Sequence, residues 1–456
     1  MDDGRLEVKV RELAEELGIP GVAVGIFADG AERFAFHGVT SVENPLPVDE
    51  GTLFQFGSTG KTFTAVAVLR LVEQGRVDPD APVRTYVPEL RLRDRHAAET
   101  VTVLQLFNHS AGWDGDFFED TGDGDDALAR YVERMTTLQQ ITPPGFIVSY
   151  NNAAVCLAGR LIEKVTGQPF ETALRELVLE PVGLDMTFFF PNDVMTRRFV
   201  VGHRREEDGS IRVLRPWTMP RSGNPAGGMA ATAGDQVRWA RFHLDHGRTP
   251  DGRQVVASEL IARMQEPTIE SPGCDFADAI GISWLLTDLD GERVVAHGGS
   301  TNGQYSGFAM VPSRRFAVVS MTNAEPNGPL FNRRIRHWAF ETYLGLRATE
   351  PVPEPRTAEA LAEFAGTYET VAVVMKVTVE DDHLRMEVEP KPEFIAALGD
   401  DQDHVEPPMP LGMLPGTDRY VVPSGPYAGS KGFFTRDDAG RISGVHEHGR
   451  YAPRID

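Results

Sequence analysis

Cysteine is nearly absent: 456 residues hold two, Cys156 and Cys274, far apart in the chain. A disulfide-stapled fold or a structural zinc site needs more, and needs them clustered, so neither is expected. Cys156 falls on a helix predicted to be buried, and Cys274 in a loop. Basic charge is also short. With 45 Lys and Arg against 67 Asp and Glu, the formal net charge is −22, which argues against nucleic acid and anionic membranes as partners. No apolar run approaches the length of a membrane span. The start, Met1-Asp2-Asp3-Gly4-Arg5, lacks the basic and apolar stretches of a secretion signal. These absences lead to the expectation of a soluble, cytoplasmic protein. Internal repeats are missing too. What is present is 41% apolar and 25% charged residues, the composition of a globular enzyme, on a chain long enough for two domains.

Leu6, Val10, Leu13 and Leu17 form the apolar stripe of an amphipathic helix that Gly18 closes. Residues 21–27 read as a buried strand, Asp29-Gly30 as a hairpin turn, and 33–39 as the returning strand. From about 77 to 150 the pattern is irregular and rich in Asp, Gly and Pro, with a short helix at 103–112. Further helices are predicted at 152–165 and 232–243, the second opened by Thr232 and Asp235 at capping-box spacing. Four short strands follow at 280–287, 293–297, 306–311 and 316–322, then a helix at 330–343. Helices in the middle with strands at both ends predict an α+β domain in which the two ends build one antiparallel sheet. The sequence Pro351-Val352-Pro353-Glu354-Pro355 predicts a stiff linker at 351–356 between a domain at 1–350 and a module at 357–456. In that module alternating residues from Tyr368 to Glu389, and later Gly and Pro turns, predict a small all-β sandwich or barrel.

The chemistry centres on Phe56-Gly57-Ser58-Thr59-Gly60-Lys61-Thr62-Phe63, a glycine-rich turn entering an apolar helix. Ser58 and Lys61 are one helical turn apart and share a face. A serine hydroxyl needs a base, and a desolvated lysine amine can be one. Alone, Ser-x-x-Lys is most often an ordinary solvated helix start. Here it is the only such tetrad in the chain, and it opens the most hydrophobic helix. Gly60-Lys61-Thr62 also resembles the end of a phosphate loop, but Gln55 occupies the first glycine's position, which excludes nucleotide binding there.

Two further motifs are also unique: Tyr150-Asn151-Asn152 before a helix, and His297-Gly298-Gly299-Ser300 at a predicted strand end. Singly, Tyr150 would be a buried hydrogen-bonded tyrosine and His297 a satisfied strand-end histidine. Their order after Ser-x-x-Lys makes three coincidences the poorer account. His446 and His448 alternate along a terminal strand without a third metal ligand, and His109 reads as a structural loop residue. No metal and no cofactor are expected.

In these motifs, and in 106–112 and Asn224-Pro225-Ala226-Gly227-Gly228, residues 5–345 resemble the serine β-lactamase and penicillin-binding-protein superfamily. The resemblance is closer to its class C-like esterases, D-aminopeptidases and D-amino-acid amidases. The trailing module, entered by Leu361-Ala362-Glu363-Phe364-Ala365-Gly366-Thr367-Tyr368, resembles the lipocalin-like barrel appended to several such hydrolases. The resemblance implies Ser58 as the acyl-forming nucleophile, Lys61 in its proton path and Tyr150 as a second base that passes the proton to the leaving group. It implies Asn152 on the acyl side chain or on Lys61, and the backbone N–H groups of Ser58 and Ser300 as the oxyanion hole, with Gly298 and Gly299 along the substrate. His297 stands where true β-lactamases carry lysine, and a histidine is largely neutral at pH 7. That points away from carboxylate-bearing penicillins and towards small esters, amides or D-configured peptides. An acyl transferase or peptide cyclase of the penicillin-binding-protein-type thioesterase kind is the alternative within this chemistry. A non-catalytic binding protein or sensor is the alternative outside it. The partner is a small-molecule substrate, and a homo-oligomer is left open.

Overall fold

The computed structural model describes residues 4–456 apart from 207, 274–275, 349–350, 393–394, 396–406 and 426. Cys274, expected in a loop, lies outside the described residues. Helix α1 (Arg5–Leu17) buries Leu6, Val10 and Leu13 and ends at Gly18 in the left-handed region. Strands β1 (Gly21–Ala28) and β2 (Ala31–Gly38) form the expected hairpin. A 3-10 turn at Gly57–Thr59 then leads into α2 (Gly60–Glu73), which is buried almost all round, as its largely apolar sequence requires. Helix α3 (Asn152–Thr166) is capped by the Asn151 side chain, which accepts from Ala154 N. Helix α4 (Ala233–Leu244) is capped by Thr232, whose hydroxyl accepts from Asp235 N. The Asp235 carboxylate does not reach back to close the box; it accepts from Met186 N and the Thr187 hydroxyl instead.

The remaining sheet strands are β3 (Ile269–Glu270), β4 (Ala279–Ile280), β5 (Leu285–Leu289), β6 (Glu292–Thr301), β7 (Gln304–Val311) and β8 (Phe316–Thr322). The strand expected at 280–287 is broken, because Ser283 takes a left-handed backbone that no strand accommodates. The helix expected at 103–112 shrinks to a 3-10 turn at Leu104–Leu106, where Asn108 folds back to accept from Ser110. Helix α5 (Gly328–Ala339) passes into a π-type turn before Gly345.

The sheet runs β2-β1-β8-β7-β6-β5-β4-β3 and is antiparallel throughout, with Val22 opposite Thr322. The two ends of this part of the chain therefore pair side by side in one sheet, as expected. One face carries the large core shared with α2, α3 and α4, while the other packs on α1 and α5.

Residues 351–356 form neither helix nor strand and lean on the C-terminal module: Glu354 N donates to Met413 O at 2.9 Å. Among its described residues that module has eight strands: β9 (Gly366–Glu369), β10 (Val373–Glu380), β11 (His383–Pro390), β12 (Met409–Met413), β13 (Arg419–Val421), β14 (Lys431–Arg436), β15 (Ile442–Glu447) and β16 (Arg450–Pro453). Each pairs with the next, and a bridge between Tyr368 and Arg454 brings the last strand to the first. The result is a nearly closed up-and-down barrel around a core of its own. No helix among the described residues is long and apolar enough to cross a membrane.

Candidate active site

Ser58 sits half-buried in the 3-10 turn, where the N-terminus of the 14-residue α2 points its free N–H groups at whatever charge develops there. Lys61 has no exposed surface, and its Nζ donates to Ser58 Oγ at 2.9 Å and to Ala226 O at 2.7 Å. Burial pushes the Lys61 pKa down to about 7. A lysine is thus held against the serine close to its own neutral point, which is what a base for a hydroxyl requires.

The close approach depends on glycines. Gly57 has φ 53°, and a Cβ there would stand 2.6 Å from Ser300 N. A Cβ on Gly299 would stand 2.0 Å from Phe56 O and 2.8 Å from Ser58 N. Side chains at either position would drive β6 away from the turn, so the backbone of Ser300 and that of Ser58 come together only because both are glycine.

Tyr150 is buried, and Lys61 Nζ lies 4.9 Å from its ring centroid. Burial raises its phenol well above the usual tyrosine value, with the Ser58 hydroxyl and the Arg450 charge acting in the opposite direction. The sequence motifs point to Tyr150 as a second base. Its burial makes it a protonated phenol near neutrality, suited to give and recover a proton once Lys61 has taken one. His297, 3% exposed, lies with its ring centroid 6.3 Å from that of Tyr150. Burial, and then the Lys61 charge, push its pKa down to about 3, so it is neutral. Its Nδ1 is 2.6 Å from Gly298 O. A carbonyl can only accept, so Nδ1 carries the proton and Nε2 a bare lone pair.

Asn152 does not hold Lys61. Its side-chain amide donates to Asp116 Oδ1 at 3.2 Å, while the second partner of Lys61 is the Ala226 carbonyl. The reason is an ion pair that local motifs do not reveal. Arg450, from the first residue of β16, donates to both oxygens of Asp116 at 2.5 and 2.9 Å. Its guanidinium lies 5.4 Å from the Tyr150 ring centroid. Burial opposes the Arg450 charge, but the Asp116 carboxylate outweighs it and keeps the guanidinium firmly protonated.

The barrel therefore reaches the reactive groups. The turn between β15 and β16 docks on the Tyr150 segment: Tyr150 N donates to Gly449 O at 2.8 Å and Tyr451 N to the Ser149 hydroxyl at 3.2 Å. His446 Nε2 is 3.0 Å from Val148 O, so this histidine is a docking contact. The expected alternation of His446 and His448 on one strand face does not hold. β15 ends at Glu447, and His448 turns the chain with φ 43°. Among the described residues no group of three or more His, Cys, Asp or Glu is placed to hold a metal. His109 is buried under Tyr150 with ring centroids 4.4 Å apart, and its Nδ1 accepts from Asn151 N. It backs the tyrosine and does not meet the cavity.

Ser58, Tyr150, Asn152, His297, Gly298, Gly299 and Ser300 all line one cavity of about 910 Å³. Sequence reasoning missed Asp116 and Arg450. Asp116 lies in an irregular acidic stretch, and Arg450 is some 300 residues beyond Tyr150, so neither stands in a local pattern with the residues it serves.

The beta-lactamase family model matches residues 6–342. Penicillin-binding protein 4 of Amycolatopsis lactamdurans is 33% identical over 377 residues, covering 81% of this chain and 98% of that protein. Among solved structures, SurE with D-Leu shares the fold at a TM-score of 0.76 and 23% identity, over 99% of this chain and 98% of the other. The octameric penicillin-binding protein homologue of Pyrococcus abyssi has a TM-score of 0.65 and 23% identity, over 99% of both chains. With three-quarters of its length inside the family match, the chain belongs to the beta-lactamase family, the serine hydrolases related to β-lactamases and penicillin-binding proteins.

Proposed function

We propose that the protein is a serine hydrolase that forms an acyl-enzyme on Ser58 with small esters, amides or D-configured peptides. The observation that carries this is the 2.9 Å contact between Ser58 Oγ and a wholly buried Lys61. In the proposed reaction Lys61 accepts the Ser58 proton as Oγ bonds to the substrate carbonyl carbon. The N–H groups of Ser58 and Ser300 receive the oxyanion. Tyr150 gives its phenol proton to the leaving group as the old bond breaks, and the Lys61 proton restores the phenol. Water then attacks the acyl-enzyme by the same relay in reverse. Aminolysis needs only that an amine displace water in this step. The 910 Å³ cavity has room for a peptide nucleophile, which keeps acyl transfer or cyclisation as the second reading. The D-Leu described with SurE supports D-configured residues among the substrates.

A serine-directed phosphonate should add one label, on Ser58. A label elsewhere, or on Ser58→Ala, overturns the nucleophile assignment, and no label at all favours a binding protein. A panel of esters, D-peptides and peptidyl thioesters followed by mass spectrometry then tells water from an amine as acceptor.

His297 sets the expected selectivity. Its Nε2 lone pair repels a carboxylate, whereas a lysine would attract one. His297→Lys should therefore raise the benzylpenicillin-to-p-nitrophenyl-butyrate ratio of kcat/KM by about tenfold to hundredfold, the worth of a charged hydrogen bond. An unchanged ratio in a folded variant would show that another residue sets the preference.

A further inference from the structure

The cavity at Ser58 does not end there. Strand β5 pairs with β6 only as far as Ala296, so the edge of β6 from Gly298 onward is uncovered. The lining of the same cavity includes residues of the opposite face of the sheet. Its floor there is apolar, from Val294, Ala296, Ala309 and Val318, and its wall is one stripe of α5. That stripe, Pro329, Asn332, Arg333 and Arg336, repeats at three- and four-residue steps and so lies along one side of the helix, and Phe340 of the following π-type turn extends it. Lys431 of β14 joins from the barrel.

Arg336 is unusual among these. It is partly buried, and burial together with the neighbouring Arg333 weakens its hold on its proton. Among the described residues it has neither a hydrogen bond nor a carboxylate partner, and what surface it keeps opens to the chamber. One turn before it, Asn332 has a buried carboxamide oxygen without a partner. Of the acidic residues in the lining, Glu119 pairs with Arg134 at 2.6 Å, Asp288 accepts from Arg293 at 3.0 Å, and Asp290 forms the tight turn after β5. A guanidinium stays charged at any ordinary pH, and even partial burial costs something when no counter-charge faces it. An anion in the chamber would remove that cost.

We infer that this rear chamber receives a carboxylate at the far end of an apolar acyl chain, held by Arg336 with Arg333 and Lys431 while the chain's other end is bonded to Ser58. The inference rests on the acyl-enzyme reading above and names the class of acyl donor: ω-carboxyacyl esters or amides. Anion recognition, lost beside the nucleophile with the histidine at 297, is placed at the distal end of the substrate.

The test uses the full chain and the mono-p-nitrophenyl esters of adipic, suberic and sebacic acids, each paired with the methyl-ended ester of equal length. The wild-type protein should prefer a carboxylate-ended ester at one of these lengths. Arg336→Met should reduce the charged-to-neutral kcat/KM ratio at that length by about tenfold to hundredfold, and Arg336→Lys should recover part of it. Asn332→Asp, which sets a carboxylate next to Arg336, should reduce the ratio as well and serves if Arg336→Met does not fold. No preference in the wild type at any length, or a ratio untouched by both variants, overturns the inference. Calorimetry with sebacate on the unmodified protein and on Arg336→Met reads the chamber without turnover. Binding that needs Arg336 in a protein that hydrolyses neither ester would uphold the anion site and reject the acyl-enzyme; turnover of neutral esters without sebacate binding would do the reverse.

Discussion

Replacing Lys61 by methionine should lower kcat/KM for p-nitrophenyl butyrate by roughly 10²–10⁴-fold, the range for loss of a positioned general base. Methionine keeps the length of the side chain and fits a site with no exposed surface, so the loss should not come from unfolding. The pH profile identifies the cause. With Lys61 titrating at about 7, the wild-type rate should climb through that pH and level off above it. Lys61→Met should lose this limb along with the rate. Stability gives a second reading of the same group. An unfolded lysine titrates near 10.4, so between about pH 7 and that value the unfolded chain binds the extra proton. Stability from this group therefore rises with pH across the window, and the rise should vanish in Lys61→Met. Urea unfolding at pH 7 and pH 9 measures it. A variant that keeps the rate limb near pH 7 would assign the base to another residue.

Arg450→Met should destabilise the protein and slow it at once. The Asp116 side chain is 6% exposed, and removal of one partner of a buried ion pair typically costs about 3–5 kcal/mol. The Arg450 side chain is 34% exposed, which places the expected cost towards the lower end of that range. Turnover should fall as well, because the guanidinium favours ionisation of the Tyr150 phenol it overlies, and without it proton release to the leaving group is harder. Adding Asp116→Asn removes the stranded carboxylate and should restore most of the stability while leaving turnover low. Urea unfolding and kcat/KM on the wild type, the single and the double variant separate the two effects. Should the double variant regain full turnover together with its stability, Arg450 would be a clamp for the barrel turn and nothing more.

The contrast between Lys61 and Arg450 shows what a sequence can and cannot say. Ser58 and Lys61 are three residues apart at the start of a helix, so helical geometry alone puts one on the other, and the apolar run after them buries the pair. Gly18, Asn151 and Thr232 mark helix ends because capping is also a local matter. The alternation of residues in the trailing module and its turn signals likewise announce short strands, and eight of them form the nearly closed barrel. Local rules fail where a backbone leaves the regular regions, at Ser283 within an expected strand and at Asn108 to Ser110 within an expected helix. At Asn108 a side chain takes the backbone partner that the helix would use, and at Ser283 the backbone N–H donates to Phe107 O, remote in sequence.

From the sequence alone came the candidate nucleophile and its candidate base, the order of the three motifs and the two kinds of fold along the chain. Only the tertiary structure brought Arg450 to Asp116 and Tyr150, gave Asn152 that carboxylate in place of Lys61, and carried the cavity past β6 to Arg336. The physical reason is range. Helix pitch, strand alternation and capping act over a few residues, whereas an ion pair between positions 116 and 450 exists only once two separate cores have formed and docked.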